Sequence, residues 1–139
     1  MNLIKIISTS SLILIFNACS STPESAVTNT FDALKYGHFP KLMKNTTYPI
    51  SKAYSARALK NCSVDKLKYK SDDLELMHLC LIEEYKDIKV EKTVILNVTK
   101  DEAQAEVTVM YDKKVTHKFG IANIEGQWRL TPPKEKNSN

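Results

Sequence analysis

The hydrophobic period of this chain changes once, near Asp87, and that change restricts the fold more than any other feature. Before it, apolar residues recur every three or four positions; after it, they recur every second. Thr22-Pro23-Glu24 supplies a capping hydroxyl, a proline for the first helical position and an early acid. Val27, Phe31 and Leu34 then share one face, and Gly37 is placed to end the helix. A short helix is expected over 40–44 and a third over 50–60, with Ile50, Tyr54 and Ala58 as its stripe. Ser71-Asp72-Asp73 is expected to open the longest helix, two acids favouring its positive end. Its buried face reads as Leu74, Met77, His78, Leu81 and Tyr85, flanked by Leu76 and Cys80.

Beyond Asp87, Ile88, Val90, Val94, Leu96 and Val98 are expected to point inward, with Lys89, Glu91, Thr93 and Asn97 pointing out. Ala103, Ala105, Val107, Val109 and Tyr111 repeat the alternation after a turn at Lys100-Asp101, and Val115, His117, Phe119 and Ile121 follow. Trp128 and Leu130 close the sheet after Glu125-Gly126. Turns this short join antiparallel neighbours. One apolar face and one polar face mean that helices cover a single side, which is an α+β layout. The expected division is a leader over 1–18, a tether over 19–21, one domain over 22–131 and a disordered tail over 132–139.

The leader carries a positive charge at Lys5, an uncharged apolar core over 6–16, and then Asn17-Ala18-Cys19-Ser20-Ser21. That core is short of the roughly 20 apolar residues a spanning helix needs. The segment resembles a bacterial lipoprotein signal, in which a small residue precedes a cysteine that is acylated and becomes the mature amino terminus. Phe16 departs from the aliphatic residue usual three places before that cysteine. The resemblance implies lipidation of Cys19, and Ser20 in place of aspartate implies sorting to an outer membrane, facing the periplasm. Cleavage after Ser20, releasing a soluble protein, and retention of the leader as a short anchor stay open.

With Cys19 assigned to the anchor, Cys62 and Cys80 form an even pair in an oxidising compartment, and a disulfide between two helices is expected. The alternative is two reduced, buried thiols. The scattered histidines add no compact ligand set, so no metal is expected. Three glycines in 139 residues, with no GxGxxG or GxxxxGK pattern, argue against a phosphate loop, and no cofactor is expected.

The run from Thr22 to Phe39 resembles the opening helix and turn of small nuclear-transport-factor-2-like (cystatin-like) lipoproteins. Ala103 to Met110, Val115 to Phe119 and Glu125-Gly-Gln-Trp-Arg-Leu130 resemble their closing strands, with Gly126 and Trp128 in the final hairpin. The stretch 48–70 fits that pattern least. The resemblance implies a curved antiparallel sheet wrapped around helices as a cone, in relatives that are isomerases, cyclases or dehydratases and in others that only bind. Fold alone does not choose among them.

Tyr54, His78, His117 and Trp128 are the candidate cavity residues, the two histidines being the possible general bases. No partner carboxylate stands at a recognisable spacing, so the bland expectation is a core histidine at 78 and an edge histidine at 117. From Ala33 to Val64 there is no acid, while Lys35, Lys41, Lys44, Lys52, Arg57 and Lys60 form a basic run. Without an aromatic-basic motif this does not indicate nucleic acid. Anionic envelope polymer, lipid headgroups or an acidic protein are the expected counterparts, the alternative being a solvated surface. The expectation is a membrane-anchored binding or scaffolding domain. A binder of a small apolar ligand in the cone is the first alternative, and an isomerase-like or dehydratase-like enzyme using a cavity histidine the second.

Overall fold

Thr22 and Ser25 reciprocally bond each other's backbone amides, at 3.1 and 2.8 Å, and so start helix α1 (Pro23–Tyr36). The computed structural model describes residues 21–70 and 73–135. Helix α1 buries Ala26, Val27, Thr30, Phe31, Ala33 and Leu34, and stops at Gly37, whose φ of 69° suits the left-handed cap. His38 caps α2 (Phe39–Asn45), its Nδ1 accepting from the Lys41 amide at 3.0 Å. Helix α3 spans Tyr48–Asn61 with a proline in its first turn. Asp73 caps α4 (Leu74–Tyr85) by accepting from the Glu75 amide at 2.8 Å. Ser71 and Asp72, expected to share that role, lie outside the described residues.

Two expectations about α4 are corrected. It has 12 residues, fewer than the 14 of α1 and of α3. Its buried positions are Leu76, Cys80, Leu81 and Tyr85, whereas Leu74 is 57% exposed and His78 also faces solvent. Leu81 and Tyr85 are buried and Met77 packs against the core as expected, and the flanking Leu76 and Cys80 are buried too, so the buried stripe is centred on the side of Leu76 and Cys80 rather than that of Leu74 and His78. Cys62, just past α3, is bonded to Cys80 with the Cα atoms 5.2 Å apart.

Strands β1 (Lys89–Leu96), β2 (Glu102–Met110), β3 (Lys114–Ile124) and β4 (Gln127–Thr131) form one antiparallel sheet in the order β1-β2-β3-β4. The fold is α+β, with helices on one face of the sheet, as expected. Glu125 and Gly126 both have positive φ, 53° and 83°, the backbone that a tight β3–β4 hairpin needs. On the inner face Ala103 pairs with Ile121, Ala105 with Phe119, Val107 with His117 and Val109 with Val115. On the side away from β3, Thr46 and Thr47 meet the free edge of β4, the Thr47 amide donating to the Leu130 carbonyl at 2.8 Å. That contact covers part of an edge that would otherwise expose unpaired backbone groups.

Strand β1 departs from simple alternation. Val90 pairs with Val109, but the next pairs are Lys92 with Thr108, Thr93 with Val107 and Ile95 with Ala105. Glu91 is an extra residue, and one extra residue exchanges the two faces. Thr93 and Ile95 therefore take the inner-face register, Ile95 half-buried and Thr93 still exposed at the sheet edge, while Val94 and Leu96 share the outer face with Glu106 and Gln104. Leu96 is 38% exposed and Val98, in the following loop, 59%. The inward placement expected for Val94 and Leu96 is thus reversed by the bulge, and Val98 is exposed in the loop beyond the strand. Glu91 itself reaches Lys114 at 2.9 Å. At the far end, Lys134, expected in a disordered tail, pairs with Glu102 at 2.6 Å.

The Cys62–Cys80 bond closes an 18-residue separation and ties the end of α3 to the middle of α4. Closing a loop of this size contributes about 3 kcal/mol. Replacing both cysteines by serine should lower the unfolding free energy by about that amount in denaturant titration. An unchanged midpoint, or full thiol labelling of protein alkylated without reductant, would show that the bond is not formed.

Candidate binding site

The helices do not cover the whole inner face of the sheet. Where β2 turns into β3, a pocket of about 310 Å³ stays open between the two layers. Phe31 from α1, Tyr54 and Arg57 from α3 and Tyr85 from α4 form the helical wall. Val109, Val115 and His117 form the floor on the sheet, and Tyr111, Asp112 and Lys113 in the turn close one side. Walls of aromatic and aliphatic carbon with a few polar groups at the rim are the usual make-up of a small-molecule site.

The wall is held by hydrogen bonds that run between elements. The Tyr85 hydroxyl donates to the Tyr54 carbonyl at 3.1 Å, and the two rings meet edge to face at 5.6 Å. The Tyr111 hydroxyl donates to the Glu84 carbonyl, pinning the β2–β3 turn to the end of α4. The Glu84 carboxylate accepts from Arg57 Nε at 2.8 Å and from the Asn61 side chain at 3.2 Å. This bond to Glu84 raises the guanidinium pKa. Arg57 is thus both fixed and charged at every ordinary pH.

Burial governs the phenols. Desolvation pushes the Tyr54 hydroxyl up to about 12 against a partly offsetting Arg57 charge, and does the same in direction to Tyr85 and Tyr111. All three remain neutral donors at physiological pH.

The four expected cavity residues do not come together. Tyr54 and His117 share the pocket. His78 lies elsewhere, on the exposed side of α4, with Nδ1 3.0 Å from the Gly37 carbonyl oxygen. Trp128 is a buried core residue on β4, 9% exposed, and its amide donates to Ser21 Oγ at 3.0 Å. His117, though on the inner face, is exposed because no helix reaches over it, and its ring lies 6.1 Å from that of Phe119. Among the described residues there is no cluster of three or more histidine, cysteine or acidic side chains suited to a metal ion.

The basic run is also divided. Arg57 is a pocket residue paired with Glu84. Lys35 lies 5.9 Å from the Tyr36 ring at the end of α1, Lys41 and Lys44 are on α2, and Lys60 is in the last turn of α3. Lys52 sits 5.6 Å from the Tyr48 ring at the start of α3. The turn 111–113, which supplies a wall of the pocket, had no motif to mark it in the sequence. Its only signal was a tyrosine in phase with the inward alternation, followed by two charged residues.

No protein-family model and no curated protein matches the chain. Among solved structures, it is similar to a Campylobacter jejuni protein provisionally described as an NTF2-like transpeptidase. The two superpose with a TM-score of 0.44 at 17% identity, over 81% of this chain and 100% of that one. A likeness of that degree assigns neither fold family nor activity.

The neutral phenol of Tyr54 has a measurable consequence. Its folded pKa of about 12 lies above the ordinary 10.0 that it regains on unfolding. The neutral form is therefore favoured by folding: its contribution is complete below pH 10 and is lost as pH rises from 10 towards 12. Wild-type protein should lose more stability over that window than Tyr54→Phe, measured by denaturant unfolding at each pH. Parallel loss in the two proteins would place the Tyr54 hydroxyl in water.

Proposed function

We propose that this chain is an envelope lipoprotein, acylated at Cys19 and held at the periplasmic face of an outer membrane, whose domain is a non-enzymatic binding module. The observation that carries the binding assignment is the pocket between α3, α4 and the β2–β3 turn. Its floor and walls are apolar or aromatic, and its polar rim holds Arg57, Lys113 and His117 against the single acid Asp112. Such a site suits a ligand with an apolar body and one anionic group, set against the fixed guanidinium of Arg57. Small envelope metabolites and the acidic, acylated or aromatic ends of envelope polymers have that chemistry.

The same residues favour binding over catalysis. Burial moves the phenols further from any physiological titration and makes them poor proton donors, and Arg57 is a cation rather than a proton carrier. The imidazole of His117 has an aromatic ring for its neighbour. These groups can orient a bound molecule, which is what a recognition site requires.

The test uses anilinonaphthalene sulfonate, a probe with an apolar body and one anionic group. It should bind the folded protein at one site. Arg57→Gln should weaken binding about ten-fold, as loss of a charged hydrogen bond does, and Val115→Trp, which fills the floor, should abolish it. Both variants are first compared with wild type in thermal unfolding. Unchanged probe affinity in two folded variants would contradict the pocket assignment.

A further inference from the structure

We infer that a second surface, around Met43, Tyr48 and Ile124, rests directly on the membrane and fixes how the domain stands on it. This deepens the anchor reading above and rests on it. Ser21, two positions from Cys19, is held in the fold: its Oγ accepts from the Trp128 amide at 3.0 Å and from Gln127 Nε2 at 3.5 Å. Two residues of extended chain span at most about 7 Å. An acylated Cys19 therefore holds this end of the domain at the lipid surface, with no linker long enough to let it swing away.

The surface beside Ser21 has the composition that such a position calls for. Gln127 Nε2, which bonds Ser21, also reaches the Asn45 side chain at 3.4 Å, placing the end of α2 at the same corner. Ile124 pairs with Gln127 across the β3–β4 hairpin. Met43, Tyr48 and Ile124 line one shallow depression with Arg129, and they are 44%, 72% and 41% exposed. What sets these three apart from other exposed apolar side chains of the domain is that they adjoin one another in a single depression, next to the residue nearest the anchor. Two exposed lysines flank them: Lys44, adjacent to Met43, and Lys52, whose ammonium lies 5.6 Å from the Tyr48 ring.

A tyrosine with a polar tip, two aliphatic side chains and lysines able to extend their ammonium groups match the interfacial zone of a bilayer. The lysines select anionic lipid, through an attraction that falls off within a Debye length and weakens with salt. The proposed occupant is the anionic headgroup layer of the anchoring membrane. With this corner pressed to the lipid, the acyl chains and the surface act together, the second contact being intramolecular once the first has formed.

The test uses the full-length acylated protein reconstituted into vesicles rich in phosphatidylglycerol and carrying brominated acyl chains as quencher. Tyr48→Trp adds an indole at the most exposed point of the surface, with the buried Trp128 of wild type as the background. Immersion of about 5–10 Å should remove at least half of the added emission. The quenching should fall several-fold when phosphatidylcholine replaces the anionic lipid, and likewise in a Lys44→Glu, Lys52→Glu background. Vesicle-bound protein whose added indole is not quenched would overturn the orientation while leaving the anchor intact. Loss of an acidic protein partner in the lysine variants, with quenching unchanged, would assign the surface to protein instead. If wild type floats with vesicles no better than Cys19→Ser, the anchor reading fails and the orientation falls with it.

Discussion

The close approach of Gly37 to α4 is the contact on which the helical layer depends. A β-carbon at this position would lie 2.5 Å from the His78 carbonyl oxygen and 2.8 Å from both His78 Nδ1 and Ile82 Cγ1. Only a residue without one lets the end of α1 lie on the backbone of α4. The positive φ of Gly37 at the same time turns the chain into α2, so one residue sets a helix stop, a helix crossing and the start of the next helix. On the same turns of α4, Cys80 is bonded to the end of α3. Helix α4 is thus the member to which α1 and α3 are both fixed, one by shape and the other by a covalent bond.

That arrangement explains why a pocket stays open instead of collapsing. Phe31, Tyr54 and Tyr85 come from α1, α3 and α4, and these helices are fixed to one another within two turns of the pocket, at Gly37 and at the Cys62–Cys80 bond. The inner face of β2 and β3 extends beyond the ends of these helices, which leaves Val115 and His117 without a cover. The hydrogen bonds from Tyr85 to the Tyr54 backbone and from Tyr111 to the Glu84 backbone then keep the walls apart. A wall held by bonds made within the protein is preorganised, and a ligand entering it does not have to order it first.

Local chemistry made much of the fold readable in the sequence. Thr22, Pro23, Gly37, Asp73 and the Glu125-Gly126 turn each act where their chemistry places them. The alternation of β2 holds along its length, whereas in β3 it is broken, His117 being exposed and Phe119, Gly120 and Ile121 all buried. What failed depended on distant contacts. The bulge at Glu91 exchanges the faces of β1, and nothing in the local pattern of valines and lysines announces one extra residue. On α4 the stripe read from hydrophobicity holds at Met77, Leu81 and Tyr85 but not at Leu74 and His78, the disulfide at Cys80 fixing the helix from its other side. Of the site, Tyr54 and His117 are legible in the sequence, while His78 lies on the exposed side of α4 and Trp128 in the core. Arg57 read as a surface charge because its partner Glu84 is 27 positions away.

The backbone contact at Gly37 can be separated from the conformational preference of glycine. Gly126 also has positive φ, 83°, but a β-carbon there would meet nothing within 4 Å. Substituting alanine at either position imposes a similar left-handed strain, of about 1 kcal/mol, so the difference between the two variants isolates the helix contact. Measured by chemical denaturation, Gly37→Ala should be less stable than Gly126→Ala by about 1–3 kcal/mol more, the cost of overpacking a close contact. Equal losses in the two variants would mean that α1 does not lie on α4 as described.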